Sequence, residues 1–207
     1  MREPHRPVRS PEPSPCVLIP IPRVIILSIL SAGQYFYYWA YITWKHYRDQ
    51  TGETAYPLWH ALAFMIPVYG YYRVHAHMRV YGELMLDHGM KTSINPVRAV
   101  FTVIIAVGLL ETTILNFWKQ TIYDPIVLFS FVVISATTIM WLLASTQNNI
   151  NRYWESALFT KSPIRVRIGI GEVIFVVVGL LMWTHTALIM FSGYYRYQTG
   201  FGYGGFW

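Results

Sequence analysis

Five long apolar stretches alternate with polar segments along the 207-residue chain. Each stretch is about 16 to 24 residues long, which matches the length that a helix needs to cross a bilayer core. A proline stands at the start of every stretch, where its missing N–H has no helical partner to lose: these are Pro22, Pro57, Pro96, Pro125 and Pro163. The pattern predicts an all-α, polytopic transmembrane helical bundle with five spans.

The predicted membrane domain covers residues 22–192, with spans at about residues 24–44, 57–72, 99–118, 126–145 and 168–191. Pro67 lies inside the second stretch and predicts a kink there. Asn95 and Asp124 directly precede helix-starting prolines, and we expect both to act as N-caps. Residues 1–21 are rich in proline and arginine, so we expect a disordered cytoplasmic leader. Residues 193–207 form a C-terminal tail of glycine and aromatic residues.

The charge distribution indicates an orientation in the membrane. Only 13% of residues are charged, against about 25% in soluble domains. With five crossings, twelve of the sixteen Lys and Arg residues lie on the side of the N-terminus. The positive-inside rule then places the N-terminus in the cytoplasm and the C-terminus outside. A re-entrant second stretch leaves only six with the N-terminus, so five crossings fit better. The net charge of +6 is thus a topology signal and does not point to nucleic acid.

A short aromatic motif occurs twice, at a spacing of 34 residues. Its copies are Tyr35-Phe36-Tyr37-Tyr38-Trp39 and Tyr69-Gly70-Tyr71-Tyr72-Arg73, each after an apolar run and before a basic segment. This arrangement resembles a group of uncharacterised bacterial integral membrane proteins with a repeated transmembrane helix that ends in Gly, Tyr and Trp. The resemblance covers about residues 24–90. It implies a multi-pass protein of the bacterial cytoplasmic (inner) membrane and no particular reaction.

Polar side chains within the predicted spans are the natural functional candidates, because placing them in hydrocarbon is costly. They are Gln34, His60, Glu111, Glu172 and His185. At 1.5 Å per residue, Glu111 and His185 lie about 10 and 9 Å from the outer ends of their spans. If spans three and five are neighbours, we predict an intramembrane polar pair of Glu111 and His185, serving either structure or ion transport; the alternative is two separate polar groups that face the bundle interior. We expect Glu172 near the inner surface, where it reaches Arg165 or Arg167 or extends to water, and His60 solvated at the outer interface.

Histidines also raise the question of cofactors. His185 lies on an apolar helix after Trp183, a setting that suits an axial ligand of haem or a chlorophyll-type pigment. His75 and His77 are two residues apart and point to different faces of a helix, so no metal site is predicted. We expect these two residues on a basic interfacial face that contacts anionic lipids. No cofactor is predicted otherwise.

No nucleophile–base arrangement, phosphate-binding glycine loop or pair of catalytic carboxylates is recognisable, so we expect a protein that is not an enzyme. The favoured function is a non-catalytic accessory or scaffold subunit that contacts lipids and other membrane-protein subunits. Its predicted partner surface is the aromatic tail: Tyr194, Tyr195, Tyr197, Phe201, Tyr203, Phe206 and Trp207. The first alternative is a tetrapyrrole-binding subunit of a photosynthetic or respiratory complex with His185 as ligand. The second is a small-solute or ion transporter that uses Glu111 and His185.

Overall fold

The computed structural model describes residues 17–119, 124–157, 164–165 and 169–192. Within these ranges the chain is all-α, as predicted. Its helices are α1 (Ile21–Leu30), α2 (Tyr35–Thr51), α3 (Pro57–Ala63), α4 (Tyr69–Asp87), α5 (Pro96–Lys119), α6 (Pro125–Ala157) and α7 (Ile170–Phe191). Two short strands, β1 (Val17–Leu18) and β2 (Ile164–Arg165), pair in parallel. The predicted leader up to residue 16 and the tail from residue 193 lie outside the described residues.

Proline positions marked the helix starts correctly for α3, α5 and α6, which begin at Pro57, Pro96 and Pro125. The two predicted N-caps are also confirmed. Asn95 Oδ1 accepts a hydrogen bond from the Arg98 amide at 2.9 Å, and Asp124 Oδ1 accepts one from the Ile126 amide at 2.7 Å. These caps satisfy amides that have no partner inside their helices.

Among the described residues, three helices are long and apolar enough to cross a membrane: Pro96–Leu115 of α5, Ile126–Ser156 of α6 and Ile170–Phe191 of α7. They correspond to the last three predicted spans, and they identify the chain as membrane-associated. The predicted spans 24–44 and 57–72 are not continuous helices, so the prediction of five spans is confirmed for three segments only.

The first predicted span is interrupted at its centre. Ala32 and Gly33 have φ values of 50° and 85°, and the left-handed region they occupy ends α1. The Gly33 amide donates to the Ser28 carbonyl at 2.8 Å, which closes the turn. Gly33 is favoured here because it has no Cβ to oppose a positive φ. The chain therefore stops after α1 and starts a new helix at Tyr35.

Contacts with α6 show that α1 and α2 fold back on each other. Before α1, the Ile19 carbonyl accepts from Asn151 Nδ2 at 2.7 Å. At the turn, Gly33 packs against Ala136, fifteen residues earlier on α6. On α2, Trp39 Nε1 donates to Gln147 Oε1 at 2.7 Å, so the chain has returned towards the C-terminal end of α6. The pair is a helical hairpin, called hairpin 1.

The helices α3 and α4 form a second hairpin, called hairpin 2. Along α3 the chain descends antiparallel to α2: His60 stacks on Trp44 at 4.4 Å between ring centroids, and Phe64 stacks on Phe36 at 5.1 Å. Residues 64–68 then reverse the chain, with Val68 at a φ of 64°. The kink predicted at Pro67 is thus a complete reversal.

The two hairpins repeat each other in register. Their second helices begin at Tyr35 and Tyr69, the first residues of the two aromatic motifs. Equivalent positions 34 residues apart also touch: Thr43 Oγ1 lies 3.3 Å from His77 Nε2. One turn further, the rings of Tyr47 and Tyr81 are 6.1 Å apart. The helices α2 and α4 therefore run side by side in the same direction.

The turns of both hairpins point towards the middle of the bundle, and their opposite, open ends lie together at one end of the bundle, which we call the hairpin end. It contains the C-terminal end of α6 and the N-terminal ends of α5 and α7. Asn149 of α6 bonds to Ser93, just before α5, and Glu172 of α7 pairs with Arg23 of α1. Away from this end the bundle consists of α5, α6 and α7.

Candidate functional site

The predicted ligand His185 faces a cavity of about 380 Å³ between α5, α6 and α7. This volume lies within the usual range of small-molecule sites. The cavity is lined almost entirely by apolar side chains, and its two threonine hydroxyls bond back to their own helices. Thr113 donates to the Leu109 carbonyl at 3.0 Å and Thr186 to the Met182 carbonyl at 2.8 Å. Among the described residues of the lining, His185 is the only ionisable one.

Glu111 is exposed on α5 and is not among the residues that line the His185 cavity, where α5 contributes Leu110, Thr113 and Ile114. Within the described part of the chain it takes part in no hydrogen bond or ion pair. Gly108 lies one turn earlier, and no atom comes within 4 Å of the position that a Cβ would occupy there. The pairing of Glu111 with His185 remains a prediction.

Glu172 forms a buried ion pair with Arg23, which joins α1 to α7. The Glu172 side chain is 1% exposed, and both of its oxygens accept from Arg23, at 3.1 Å from Nε and 2.5 Å from Nη2. Oε2 also accepts from the Gly169 amide at 3.0 Å and so caps α7. The sequence placed Glu172 near the inner surface but named Arg165 or Arg167 as its partner. Arg23, 149 residues away, was missed because only the hairpin brings it there.

His77 lies fully buried between the two hairpins, at 0% exposure. Four rings surround it at centroid distances of 5.2 to 6.0 Å: Trp39, Trp44, Phe64 and Tyr81. The prediction that His77 lies on a lipid-contacting interfacial face is therefore wrong. The only sequence signal for this position was its spacing of 34 residues from Thr43.

His60 lies beside this cluster and is only partly solvated, contrary to expectation. Its ring stacks on Trp44, and its Nδ1 contacts the guanidinium of Arg73. His60, His77 and Arg73 thus come from α3 and α4, and all contact or face the Trp44 ring of α2. This cluster, which we call the Trp44 cluster, holds the two hairpins together at the hairpin end.

Burial, together with the smaller effects of the nearby His60 and Arg73, lowers the pKa of His77 to about 3. The residue lies outside the three candidate spans, and it is neutral at physiological pH. An unfolded chain binds a proton at His77 below about pH 6.5, whereas the folded chain does not until near pH 3. The part of the folding free energy that depends on the neutral form of His77 is therefore fully present above pH 6.5, and it declines as the pH falls below this value.

We predict that the free energy of unfolding decreases by up to about 1.4 kcal/mol per pH unit below pH 6.5 on account of His77. The His77→Phe variant, which keeps a ring in the cluster, should lose this part of the slope. Denaturant titrations of the purified protein at pH 7.5, 6.5, 5.5 and 4.5 measure it. An unchanged slope in the variant would show that His77 is not held neutral.

The remaining predicted sites are the tail aromatics, which lie outside the described residues. Among the described residues, no group of three or more His, Cys, Asp or Glu is placed to hold a metal ion. The geometry thus offers an apolar cavity at His185, an exposed carboxylate on α5 and a buried polar cluster between the hairpins. No family model, curated protein or solved structure matches the chain.

Proposed function

We propose that α5, α6 and α7 cross the membrane and that both hairpins enter it from the cytoplasmic side without crossing. With this topology, fourteen of the sixteen Lys and Arg residues lie on the side of the N-terminus, and only Lys119 and Arg196 lie opposite. The asymmetry is stronger than with five crossings, and it keeps the N-terminus cytoplasmic and the C-terminus outside. A bacterial inner membrane remains the proposed location.

Hairpin dimensions and surfaces support this topology. The ten residues of α1 extend about 15 Å, half of a hydrocarbon core of about 30 Å. Its Ile26 is 55% exposed, and at the turn of hairpin 2 Ile66 is 52% exposed, as expected for lipid contact. Irregular backbone is tolerated at membrane depth where protein covers it. At the turn of hairpin 1, Ser31, Ala32 and Gly33 meet this condition because all three are buried, whereas residues 65–69 at the turn of hairpin 2 are exposed.

Within this framework the chain acts as a non-catalytic accessory subunit that packs against a partner through the exposed face of α5. The observation that carries the proposal is Glu111. It lies fifteen residues beyond Pro96, about 22 Å along a membrane-crossing helix, and it is exposed. A charged side chain at membrane depth normally faces a helix bundle or a polar partner, because hydrocarbon solvates it poorly. If a partner subunit covers Glu111 in the assembled complex, the carboxylate no longer contacts hydrocarbon and this solvation cost is removed.

The proposed occupant of this face is a transmembrane helix of another subunit that carries a basic or amide side chain. Gly108, one turn from Glu111, leaves an open notch that permits close approach of a second helix. The apolar residues Phe101 and Ile105 continue the same exposed face. A second copy of this chain fits less well, since a twofold contact here brings two Glu111 carboxylates together.

A pull-down from native membranes in mild detergent tests the proposal with the Glu111→Gln and Gly108→Leu variants. Each should lower recovery of one stoichiometric membrane partner about tenfold, the equivalent of one lost interhelical contact. Val177→Leu, which enlarges an exposed side chain on α7, should leave the recovery unchanged. A photo-crosslinker at Ile105 should join the partner's transmembrane segment.

Two results would contradict the proposal. Equal recovery of the partner with wild-type protein and with both α5 variants would mean that this face contacts only lipid. A crosslink from Ile105 to a second, differently tagged copy of the chain would replace the partner helix by self-association. Circular dichroism of each variant establishes that the fold is intact.

The aromatic tail is proposed as a second partner contact on the outer surface. Tyr and Trp provide large contact areas at low conformational cost. Deleting residues 194–207 should weaken the same association independently of Glu111. If the deletion variant retains the partner fully, the aromatic residues of the tail contact only the lipid headgroups.

The second candidate is a subunit that binds a haem or chlorophyll-type pigment at His185. The specific observation in its favour is the apolar cavity of about 380 Å³ that His185 lines. A visible and near-infrared spectrum of protein purified from its native membrane decides the matter. Bands that disappear in His185→Ala support this function, and a colourless protein excludes it.

A further inference from the structure

A polar groove of about 340 Å³ lies at the hairpin end, between the α4–α5 connection and the C-terminal part of α6. The connection contributes Lys91, Thr92 and Ser93, and α6 contributes Ser145, Asn148, Asn149 and Arg152. Every lining residue is polar or basic, and none is acidic. This composition contrasts with the apolar cavity at His185.

Asn149 fixes the geometry of the groove. It is 4% exposed, and all of its polar atoms are engaged. Its Oδ1 accepts from the Ser93 amide at 3.2 Å, while Nδ2 donates to Ser93 Oγ and to the Ser145 carbonyl, both at 2.8 Å. The connection is thereby held against α6, which places Lys91 and Arg152 on the lining of the same groove.

The groove presents positive charge and hydrogen-bond donors to whatever occupies it. Lys91 and Arg152 are both exposed, and neither forms an ion pair within the described residues. Ser93 Oγ already accepts a hydrogen bond, so its hydroxyl proton remains to be donated. The Asn148 amide is exposed beside them. Two cations with neutral donors form a typical receptor for a phosphate group.

In the proposed topology the groove lies at the level of the lipid headgroups. Lys91 and Ser93 precede Pro96, where the first candidate span begins, by five and three residues. Arg98 donates to the Ser93 carbonyl at 2.9 Å, and its guanidinium lies 5.4 Å from the centre of the Trp141 ring. An exposed tryptophan with an arginine over it is typical of the membrane–water interface.

From these observations we infer that the groove binds the phosphate of an anionic phospholipid headgroup through Lys91, Arg152, Ser93 and Asn148. The inference requires α5 to enter the membrane near Pro96, but it does not depend on a partner at Glu111. A bound lipid would stabilise the contact between α5 and α6 at the hairpin end.

The test measures binding of a fluorescent phosphatidylglycerol to the full-length protein in an uncharged detergent. The Lys91→Gln/Arg152→Gln variant should bind about 30-fold more weakly, because each cation near anionic lipid contributes about 1 kcal/mol. The control Lys45→Gln/Arg79→Gln removes the same charge from exposed positions outside the groove and should bind as the wild type does. Phosphatidylcholine and inorganic phosphate serve as competitors.

Phosphatidylglycerol binding that is lost only in the groove variant, and that neither competitor displaces, supports the inference. Equal losses in both variants would indicate diffuse attraction to the basic surface and overturn it. Displacement by millimolar inorganic phosphate would assign the groove to a soluble phosphate compound instead. Wild-type protein that does not bind phosphatidylglycerol would also overturn it. Because the variants alter exposed side chains, a monodisperse elution profile suffices to exclude misfolding.

Discussion

Replacing Glu172 with alanine is expected to lower the free energy of unfolding by about 3 kcal/mol, at the lower end of the range for a broken buried ion pair. Arg23, whose side chain is 16% exposed, would then lose the Glu172 carboxylate that joins α1 to α7. The amide of Gly169 would also lose the acceptor that caps α7. Titration of the detergent-solubilised protein with a denaturing detergent, followed by tryptophan fluorescence, measures the change.

The exposed ion pair between Arg79 and Glu83 is a matched control. Its atoms are 3.6 Å apart, and its side chains are 58% and 60% exposed. Glu83→Ala should therefore change the stability by less than about 0.5 kcal/mol. The double variant Arg23→Met/Glu172→Leu should recover most of the lost stability, since removing both charges also removes their desolvation cost. Similar effects of Glu172→Ala and Glu83→Ala would mean that hairpin 1 is not anchored by this pair.

Replacing Gly179 with leucine is expected to separate hairpin 1 from α7. A Cβ at this position would lie 2.1 Å from Ser31 Cα and 2.3 Å from the Ser31 carbonyl carbon. These are backbone atoms at the turn of the hairpin, so no rotamer change relieves the clash. The displacement would also break the hydrogen bond from Trp183 Nε1 to the Ile29 carbonyl, now 2.7 Å long. A destabilisation of about 3 kcal/mol is expected, the upper end for overpacking.

The same substitution at Gly108 should have little effect on stability, because no atom lies within 4 Å of a Cβ there. Leucine also has the better helix propensity, by up to about 1 kcal/mol. Thermal unfolding of the two variants side by side measures the difference. If Gly179→Leu and Gly108→Leu unfold at the same temperature, α1 does not pack on α7 as described.

Local signals in the sequence were sufficient to locate most helices. Prolines and their capping neighbours Asn95 and Asp124 act within one helical turn, so their effect does not depend on the rest of the fold. The predicted fifth span at 168–191 agrees closely with α7 (Ile170–Phe191), but Pro163 does not mark its start, since Gly169 is the N-cap of this helix. The aromatic repeat was predicted at the ends of apolar helices, whereas Tyr35 and Tyr69 begin α2 and α4.

The two hairpins, which replace the first two predicted spans, depend on long-range packing and were not predicted from the sequence. A run such as residues 24–44 is apolar enough to cross a membrane, and only Gly33 indicated a possible break. The contacts that make a hairpin favourable come from residues far along the chain, such as Gln147 with Trp39 and Glu172 with Arg23. Loop charges favour five crossings over one re-entrant stretch, and the two cytoplasmic hairpins proposed above place still more of the Lys and Arg residues on the side of the N-terminus.

The site predictions also succeeded where they depended on position along one helix and failed where they depended on packing between helices. The sequence placed Glu172 near the inner surface from its position in the span, but the buried location of His77 depends on rings from α2, α3 and α4 together. The groove at Lys91 and Arg152 could not be predicted from the sequence either, because 61 positions separate these residues and the contacts of Asn149 bring them together. Side chains whose surroundings are built from several elements require the fold.

Thiol labelling of the loop between α2 and α3 tests the topology most directly. In a Cys16→Ser background, Thr54→Cys and Asp124→Cys each place one thiol at an exposed position. A membrane-impermeant maleimide added to right-side-out vesicles should label the Asp124→Cys protein, and the Thr54→Cys protein only after permeabilisation. Labelling of Thr54→Cys in sealed vesicles would show that the chain crosses the membrane before residue 54, which contradicts two cytoplasmic hairpins and restores five crossings.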